Sequence, residues 1–299
     1  MMKNDKLAGD NNTITRSPLR FIGSKLMLIQ KYRLCEFFPQ TCGHHAVVEN
    51  GKINRHEYSA YVEVFCGSAV LFFNLDPAPR YAILNDINKD IYNFWHVIRY
   101  NCDQFMKELE YTWNGDDWVD EYSTRNDDVA KAIVFYINNR RGEFIKGSPT
   151  KFYKDFSPWK KKLDDSYTRI WPYDYKKALN IINAPKNKNR GSGSSMLIYI
   201  VYEDPPYYGT ECVYEHGSFT LKDHYILSKM NHESTSMIFL SYNDCPQVRE
   251  LYKDWHILEL EMFNKRKEET RKELFLSNRP LVRHVKEAEN KKTFDPKEW

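Results

Sequence analysis

Tyr199-Ile200-Val201-Tyr202-Glu203-Asp204-Pro205-Pro206-Tyr207-Tyr208 is the stretch on which the reading of this chain turns. An apolar run of β-forming residues ends in an acid, two prolines and two tyrosines, so a strand stops abruptly here. A proline fixes φ and has no N–H to donate. The carbonyls around Pro205 and Pro206 are therefore left pointing in set directions beside the Asp204 carboxylate, and Tyr207 adds a flat ring. Such a set suits a planar ring that carries an exocyclic amine. Asp204 accepts one N–H, the Pro205 carbonyl accepts a second, and Tyr207 stacks. An ordinary Pro-rich turn is the plain alternative, and the rest of the chain has to decide.

Two earlier segments repeat one architectural unit. Tyr61 to Phe65 alternates and is rich in β-formers, Cys66-Gly67-Ser68 is a small-residue turn, and Ala69 to Leu75 starts a helix. Strand, small-residue turn, helix opens a nucleotide-binding α/β unit, because small residues let the backbone approach a ligand. A second strand, residues 80–86, ends in Asp86, about 20 residues after the first turn, where a ribose-binding acid belongs. Asp86 also reads as an N-cap for a helix over 87–99, and the two roles are compatible. Together the units point to an adenosine-type cofactor. Upstream, Gly23-Ser24-Lys25 is a tight turn into a helix over 26–38. A helix opening of this kind can hold an anion, although an N-capped surface helix is the favoured reading of that segment by itself.

The βα rhythm fades after residue 100. Residues 130–137 read as a buried helix, and 140–162 carry Arg140, Arg141, Lys146, Lys151, Lys154, Lys160, Lys161 and Lys162 against only Glu143 and Asp155. Phe144, Phe152, Tyr153, Phe156 and Trp159 lie between them. Basic side chains interleaved with aromatics suit a loop that tracks phosphates and touches bases. A solvated charged face with its rings packed inward fits the composition equally well. Residues 163–182 read as helical, 185–195 as a flexible linker, and 40–59 as a polar connection. Apolar strands are expected near 236–244, 255–261 and 273–277.

Composition bounds the partners. The chain has 299 residues, 41% hydrophobic and 15% aromatic, with a net charge of +3, so basicity alone gives little support for nucleic acid. No apolar run is long enough to cross a membrane, and the polar start has no signal-peptide core, so cytoplasmic residence and no membrane partner are expected. The six cysteines are scattered without a Cys-x-x-Cys pair, as suits reduced thiols. Cys35, Cys42, His44 and His45 match no common zinc spacing, and no metal is expected.

At this point the motifs resemble the Dam-type DNA adenine-N6 methyltransferases, in their alpha motif order. Residues 18–25, Pro-Leu-Arg-Phe-Ile-Gly-Ser-Lys, are similar to the family's N-terminal cofactor motif. Glu63-Val64-Phe65-Cys66-Gly67-Ser68-Ala69 is similar to its Phe-x-Gly-x-Gly loop, with Ala69 in place of the second glycine. Residues 84–90 resemble its second acidic strand end, Asp204-Pro205-Pro206-Tyr207 its catalytic motif, and residues 240–244 and 273–278 its late strands. Six short motifs in one order span roughly 17–278.

The resemblance implies an α/β fold, a Rossmann-like, mostly parallel seven-stranded methyltransferase sheet with an inserted, mainly helical target-recognition domain. It implies a disordered tail over 1–16, an S-adenosylmethionine-binding catalytic domain over 17–110 and 196–284, recognition domain and linker over 111–195, and a C-terminal tail over 285–299. The implied activity is transfer of the S-adenosylmethionine methyl to N6 of an adenine flipped out of double-stranded DNA. Cytosine-N4 methylation and a catalytically silent DNA-binding relative are the alternatives. Implied catalytic residues are Asp204, Pro205, Pro206 and Tyr207. Cofactor contacts would come from Phe21, Gly23, Lys25, Phe65, Cys66, Gly67, Asp86, Ile87 and Asp204. DNA contacts would come from Arg140, Arg141, Lys146, Lys151, Tyr153 and Lys154. A cognate restriction endonuclease is a candidate partner. Asn139-Arg140-Arg141-Gly142-Glu143-Phe144 resembles a family stretch but lacks the Asn-Gly-Leu-type segment that often precedes it, so the usual GATC target is not carried over.

Overall fold

Alternation of apolar residues along the strands builds a sheet that is buried on both faces. The computed structural model describes residues 14–20, 25–39, 45–49, 52–56, 58–112, 118–141, 153–184, 198–210, 219–264 and 269–284. Its strands are β1 (His45–Glu49), β2 (Lys52–His56), β3 (Tyr58–Glu63), β4 (Ala82–Asn85), β5 (Arg169–Trp171), β6 (Ile198–Glu203), β7 (Met237–Asn243), β8 (His256–Asn264) and β9 (Glu269–Ser277). Its α-helices are α1 (Leu26–Tyr32), α2 (Val70–Asn74), α3 (Lys89–Tyr100), α4 (Cys102–Thr112), α5 (Trp118–Thr124), α6 (Asp128–Arg141), α7 (Ser157–Asp165), α8 (Tyr175–Asn183), α9 (Leu221–Glu233) and α10 (Pro246–Leu251).

Seven strands pair in the order β5-β4-β3-β6-β7-β9-β8, while β1 and β2 form a separate antiparallel hairpin. The pairings from β5 to β7 are parallel, and β9 lies antiparallel between β7 and β8. From β3 the chain runs outward to β4 and β5, then returns to β6 on the other side of β3. The carboxyl ends of β3 and β6 are thus the point where strand order reverses, the place at which open α/β sheets bind ligands.

Each inner strand divides its side chains between two cores. Tyr61, Tyr202, Phe239 and Phe275 face one, with Phe72, Trp95, Tyr136, Phe156 and Trp159 from the helices. Val62, Val201, Ile238 and Leu276 face the other, with Leu179 from α8, Leu227 from α9 and Val248 from α10. Strands buried on both sides are apolar throughout, as parallel sheets require.

The structure corrects three expectations about elements. Residues 40–59 hold the β1–β2 hairpin rather than only a connection. The helix expected over 26–38 stops at Tyr32, where Arg33 turns left-handed at φ 50° and a 3₁₀ turn follows over Leu34–Phe37. The helix expected over 163–182 is broken by β5, an edge strand of three residues that pairs with β4. That pairing puts residues 169–171 in the sheet, inside the span 111–195 expected to be an insertion. Phe156 and Trp159, also within that span, share a core with the sheet, so no break in the core marks residue 111.

Two glutamates are fully buried among these apolar layers. Asn231 Nδ2 donates to Glu203 Oε2 at 2.6 Å, and burial pushes the Glu203 carboxyl up to about 8. Burial likewise raises Glu63 to about 8, although the Tyr61 hydroxyl and the Phe72 N–H both donate to its Oε1 at 2.8 Å. An unfolded glutamate titrates near ~4.3. Between these values the folded chain keeps protons that the unfolded chain releases. The stability these two groups contribute is therefore fully present below about pH 4.3 and is lost as pH rises through about 8. The urea-unfolding midpoint should fall between pH 6 and pH 8, and fall less in Glu203→Gln. Equal slopes for the two proteins would show that Glu203 is not one of the groups responsible.

Candidate active site

The carboxyl end of β6 delivers Asp204 to the reversal point, and a lysine from far upstream meets it there. Lys25, immediately before α1, is only 3% exposed. Its ammonium lies 2.9 Å from Asp204 Oδ1 and 3.8 Å from Glu273 Oε2 of β9. It also donates to the Tyr207 hydroxyl at 2.8 Å, and that hydroxyl donates to Glu273 Oε2 at 2.6 Å. Lys25, favoured by sequence as part of a surface helix, is instead a buried counter-ion. Burial raises the Asp204 carboxyl to about 6; the Lys25 ammonium pulls against that rise and the Glu273 charge adds to it. The Asp204 side chain is still 24% exposed, so part of this carboxylate faces open space. Tyr207 stays a neutral hydroxyl: burial, then the charges of Asp204 and Glu273, hold it well above the ordinary tyrosine range.

Beside this cluster, the turn after β3 is shaped for close approach. Gly67 sits at φ +46°, a left-handed conformation that favours glycine, and a Cβ placed there would meet nothing within 4 Å. It is the backbone conformation that calls for glycine, and the space in front of the turn is open. Ala69, the departure from the family pattern, also adopts a left-handed conformation, φ 50°. The backbone thus keeps the shape a glycine would give it, at a cost of roughly 1–2 kcal/mol. Asp86 reaches across from the end of β4: its Oδ2 accepts from the Gly67 N–H and its Oδ1 from the Asn88 N–H, both at 2.9 Å. The helix-cap role also read into Asp86 belongs to Asn88, whose Oδ1 accepts from the Asp90 and Ile91 N–H groups. Ile87 is 42% exposed beside the turn. Phe65 anchors the loop, its ring packed on Tyr175 and Phe219. Cys66 is consumed by the fold: its thiol is buried, its N–H donates to the Asn85 carbonyl, and its carbonyl accepts from Ala69.

Three asparagine amides fix the segments around the site. The Asn139 amide accepts from the Arg20 N–H at 2.8 Å and donates to the Arg20 carbonyl at 2.7 Å. Asn243 grips the Tyr208 backbone in both directions, at 3.0 and 3.1 Å. Asn85 does the same to Tyr173 and also donates to the Val64 carbonyl. Each amide imitates one rung of a β-ladder, for Asn85 and Asn243 beyond the end of a neighbouring strand. Only a side chain with both a donor and an acceptor can do this. The sequence signal for these residues was slight, since asparagines in loops usually mark turns.

The expected DNA contacts separate into two groups. Arg140 is buried, 6% exposed; its guanidinium donates to the Pro18 carbonyl at 3.3 Å and lies over the Tyr153 ring. It supports Pro18, the first residue of the cofactor motif, and most of its side chain is turned into the protein. Tyr153 is half-buried and packs edge-on against Trp159. Phe156 and Trp159 are core residues, and Lys160 and Lys161 pair with Asp164 and Asp165 along α7. Lys162 donates to the Leu75 carbonyl. Lys154 is exposed. Phe21, Gly23, Lys146 and Lys151 and the side chain of Arg141 lie outside the described residues, as do Cys42, His44 and the side chain of His45 from the cysteine–histidine cluster.

Residues 21–266, well over half of the chain, match the family described as D12 class N6 adenine-specific DNA methyltransferase. The chain belongs to that family. Two relatives sit at similar distances from this methyltransferase. The DNA adenine methylase of Serratia marcescens is 25% identical over 250 residues, covering 74% of this chain and 86% of that protein. The type II methyltransferase M1.LlaDCHI of Lactococcus lactis subsp. cremoris is 24% identical over 241 residues, covering 69% and 79%. Among solved structures, the methyltransferase matches the tRNA (m1A58) methyltransferase TrmI of Aquifex aeolicus over 73% of this chain and 61% of that one. Identity there is 8% and the TM-score 0.29, a distant likeness on which the assignment does not rest. The family activity is N6-specific, and the cytosine-N4 alternative is not favoured.

The Asn139 clamp of this methyltransferase can be tested by removing only its donor. Asn139→Asp keeps shape but loses the bond to the Arg20 carbonyl and buries a charge. It should lower unfolding free energy by about 1–3 kcal/mol, read from urea denaturation. An unchanged midpoint would show that the clamp contributes nothing.

Proposed function

We propose that this DNA adenine methyltransferase takes S-adenosylmethionine as its donor and that Asp204, the Pro205 carbonyl and Tyr207 receive the target adenine. The observation that carries the proposal is the buried Asp204 carboxylate beside the open Gly67 turn, at the one edge where strand order reverses. The residues present fit the cofactor. Gly67 faces open space that a cofactor can occupy, the Asp86 carboxylate lies against that turn where a ribose-binding acid belongs, and Ile87 offers an apolar surface next to it. When bound, S-adenosylmethionine supplies an electrophilic methyl group on its sulfonium.

The chain's own contribution is positioning. In duplex DNA the N6 amine is paired and stacked, so the base has to leave the helix to reach Asp204. Asp204 and the Pro205 carbonyl accept the two N6–H groups, which orients N6 and leaves its lone pair available. Tyr207 supports the ring face. On methylation N6 becomes cationic and sheds one proton, which Asp204 accepts; a weak base suffices for so acidic a group. Lys25 keeps Asp204 from standing as a lone buried charge, which would be costly. The reading of flanking sequence is proposed for 141–154, with Arg140 as its buried anchor rather than as a contact. A paired restriction endonuclease and cytoplasmic residence remain part of the proposal, since one relative is a type II methyltransferase.

Asp204→Ala should lower methyl transfer by roughly 10²–10³-fold or more while still binding cofactor, as read by tritium incorporation into unmethylated plasmid and by calorimetry. Near-normal transfer would remove Asp204 from the mechanism. In the wild type, transfer should rise tenfold per pH unit well below pH 6, reach half its maximum at about pH 6, where the carboxylate is half ionised, and level off above that. Digestion of the labelled product to nucleosides should give N6-methyladenine.

A further inference from the structure

The structure assigns to Glu273 the task of holding Tyr207 in place for transfer: its carboxylate, on the antiparallel strand β9, accepts the hydrogen bond of the hydroxyl on the ring that supports the target base. The inference rests on the reading that Tyr207 supports that base. Two independent contacts converge on this ring. The Tyr207 hydroxyl donates to Glu273 Oε2 at 2.6 Å and accepts from Lys25 at 2.8 Å, so its direction is fixed from both sides. Glu273 and Asn243 are direct cross-strand partners on β9 and β7. Asn243 grips the backbone of Tyr208 while Glu273 grips the hydroxyl of Tyr207. One rung of the sheet thus restrains two consecutive tyrosines at opposite ends.

A hydroxyl-anchored ring cannot swing out of the cleft, and its face is presented at one angle. An unanchored tyrosine in a Pro-Pro-Tyr turn would sample several χ1 wells, and misplacement by even 1 Å is costly in transfer chemistry. Glu273 also competes with Asp204 for Lys25, at 3.8 against 2.9 Å. The charged and titratable groups around Asp204 are Lys25 before α1, Glu273 on β9, Tyr207 in the turn after β6, Tyr202 on β6 and Glu63 on β3. Removing the Glu273 charge should therefore move the acid limb of the transfer profile to lower pH. Glu273 is a positioning residue: it touches neither base nor methyl group.

The test is a double-mutant cycle of Glu273→Leu and Tyr207→Phe, with Glu273→Gln as the variant that keeps an acceptor for the hydroxyl. Single-turnover methylation of unmethylated plasmid should fall about tenfold in Glu273→Leu and in Tyr207→Phe, and no further in the double variant, with S-adenosylmethionine affinity within twofold of wild type. Glu273→Gln should recover much of the rate while its acid limb shifts below that of wild type. Additive losses, or rates within twofold of wild type for both Glu273 variants, would overturn the assignment. Should Glu273→Leu fail to fold, Glu273→Gln carries the pH-profile test alone, and an unmoved acid limb is then the overturning result. A DNA-free readout accompanies these rates. In protein labelled with [13Cζ]tyrosine, the resonance lost in Tyr207→Phe should shift in Glu273→Gln; no shift overturns the contact. If the wild type moved no methyl to DNA, the activity would be wrongly assigned, and the resonance would decide on Glu273.

Discussion

A single buried ammonium organises this molecule's chemistry. Lys25 sits within 4 Å of two carboxylates, one at the end of β6 and one on β9, and touches the tyrosine hydroxyl between them. Removing an ion from water costs several kcal/mol, recovered only when partners surround it. The cluster therefore stands or falls as a unit, and it exists only when three distant parts of the chain are in register. Burial, opposed by the Lys25 ammonium and helped by the Glu273 charge, keeps the Asp204 carboxyl near the middle of the pH scale instead of deep in the acid range. A carboxylate so poised accepts hydrogen bonds readily and gives up a captured proton to water without delay.

Around that cluster the fold uses the same device several times. Asn85, Asn139 and Asn243 each pair with both backbone groups of one residue in a neighbouring loop. Loops ordinarily carry the freedom that a fold leaves over. Here the ones that shape the cleft are stitched to secondary structure by rungs made from side chains. The arrangement explains how turns rich in proline and glycine hold a precise cavity without lengthening the sheet.

Much of this was legible in the chain itself. The strand that stops at Asp204, the small-residue turn at Gly67 and the acid at Asp86 each break a regular pattern in a way that local chemistry explains. Their order carries the family resemblance. What sequence hid was anything that depends on partners far apart. The three-residue strand β5 is too short to show a period, so it merged with the flanking helices. The basic middle was an even choice on composition; among its described residues Arg140, Phe156 and Trp159 turn inward, while Lys154 stays outside. Glu273 lies next to an apolar run, Leu274-Phe275-Leu276, and its charge has a meaning only once β9 is seen to lie beside β7. Lys25 is expected on a surface helix from its own segment and at the cofactor from the resemblance, and nothing near it in sequence shows that it has a carboxylate to meet.

The place of β9 has a consequence for how the molecule comes into being. Strand order puts the late-made β9 between β7 and β8, so the sheet stays open along β7 until that strand has left the ribosome. Glu273 therefore arrives well after Lys25 and Asp204. A nascent chain that carries the cofactor-facing motifs still lacks its complete charge cluster until β9 is inserted.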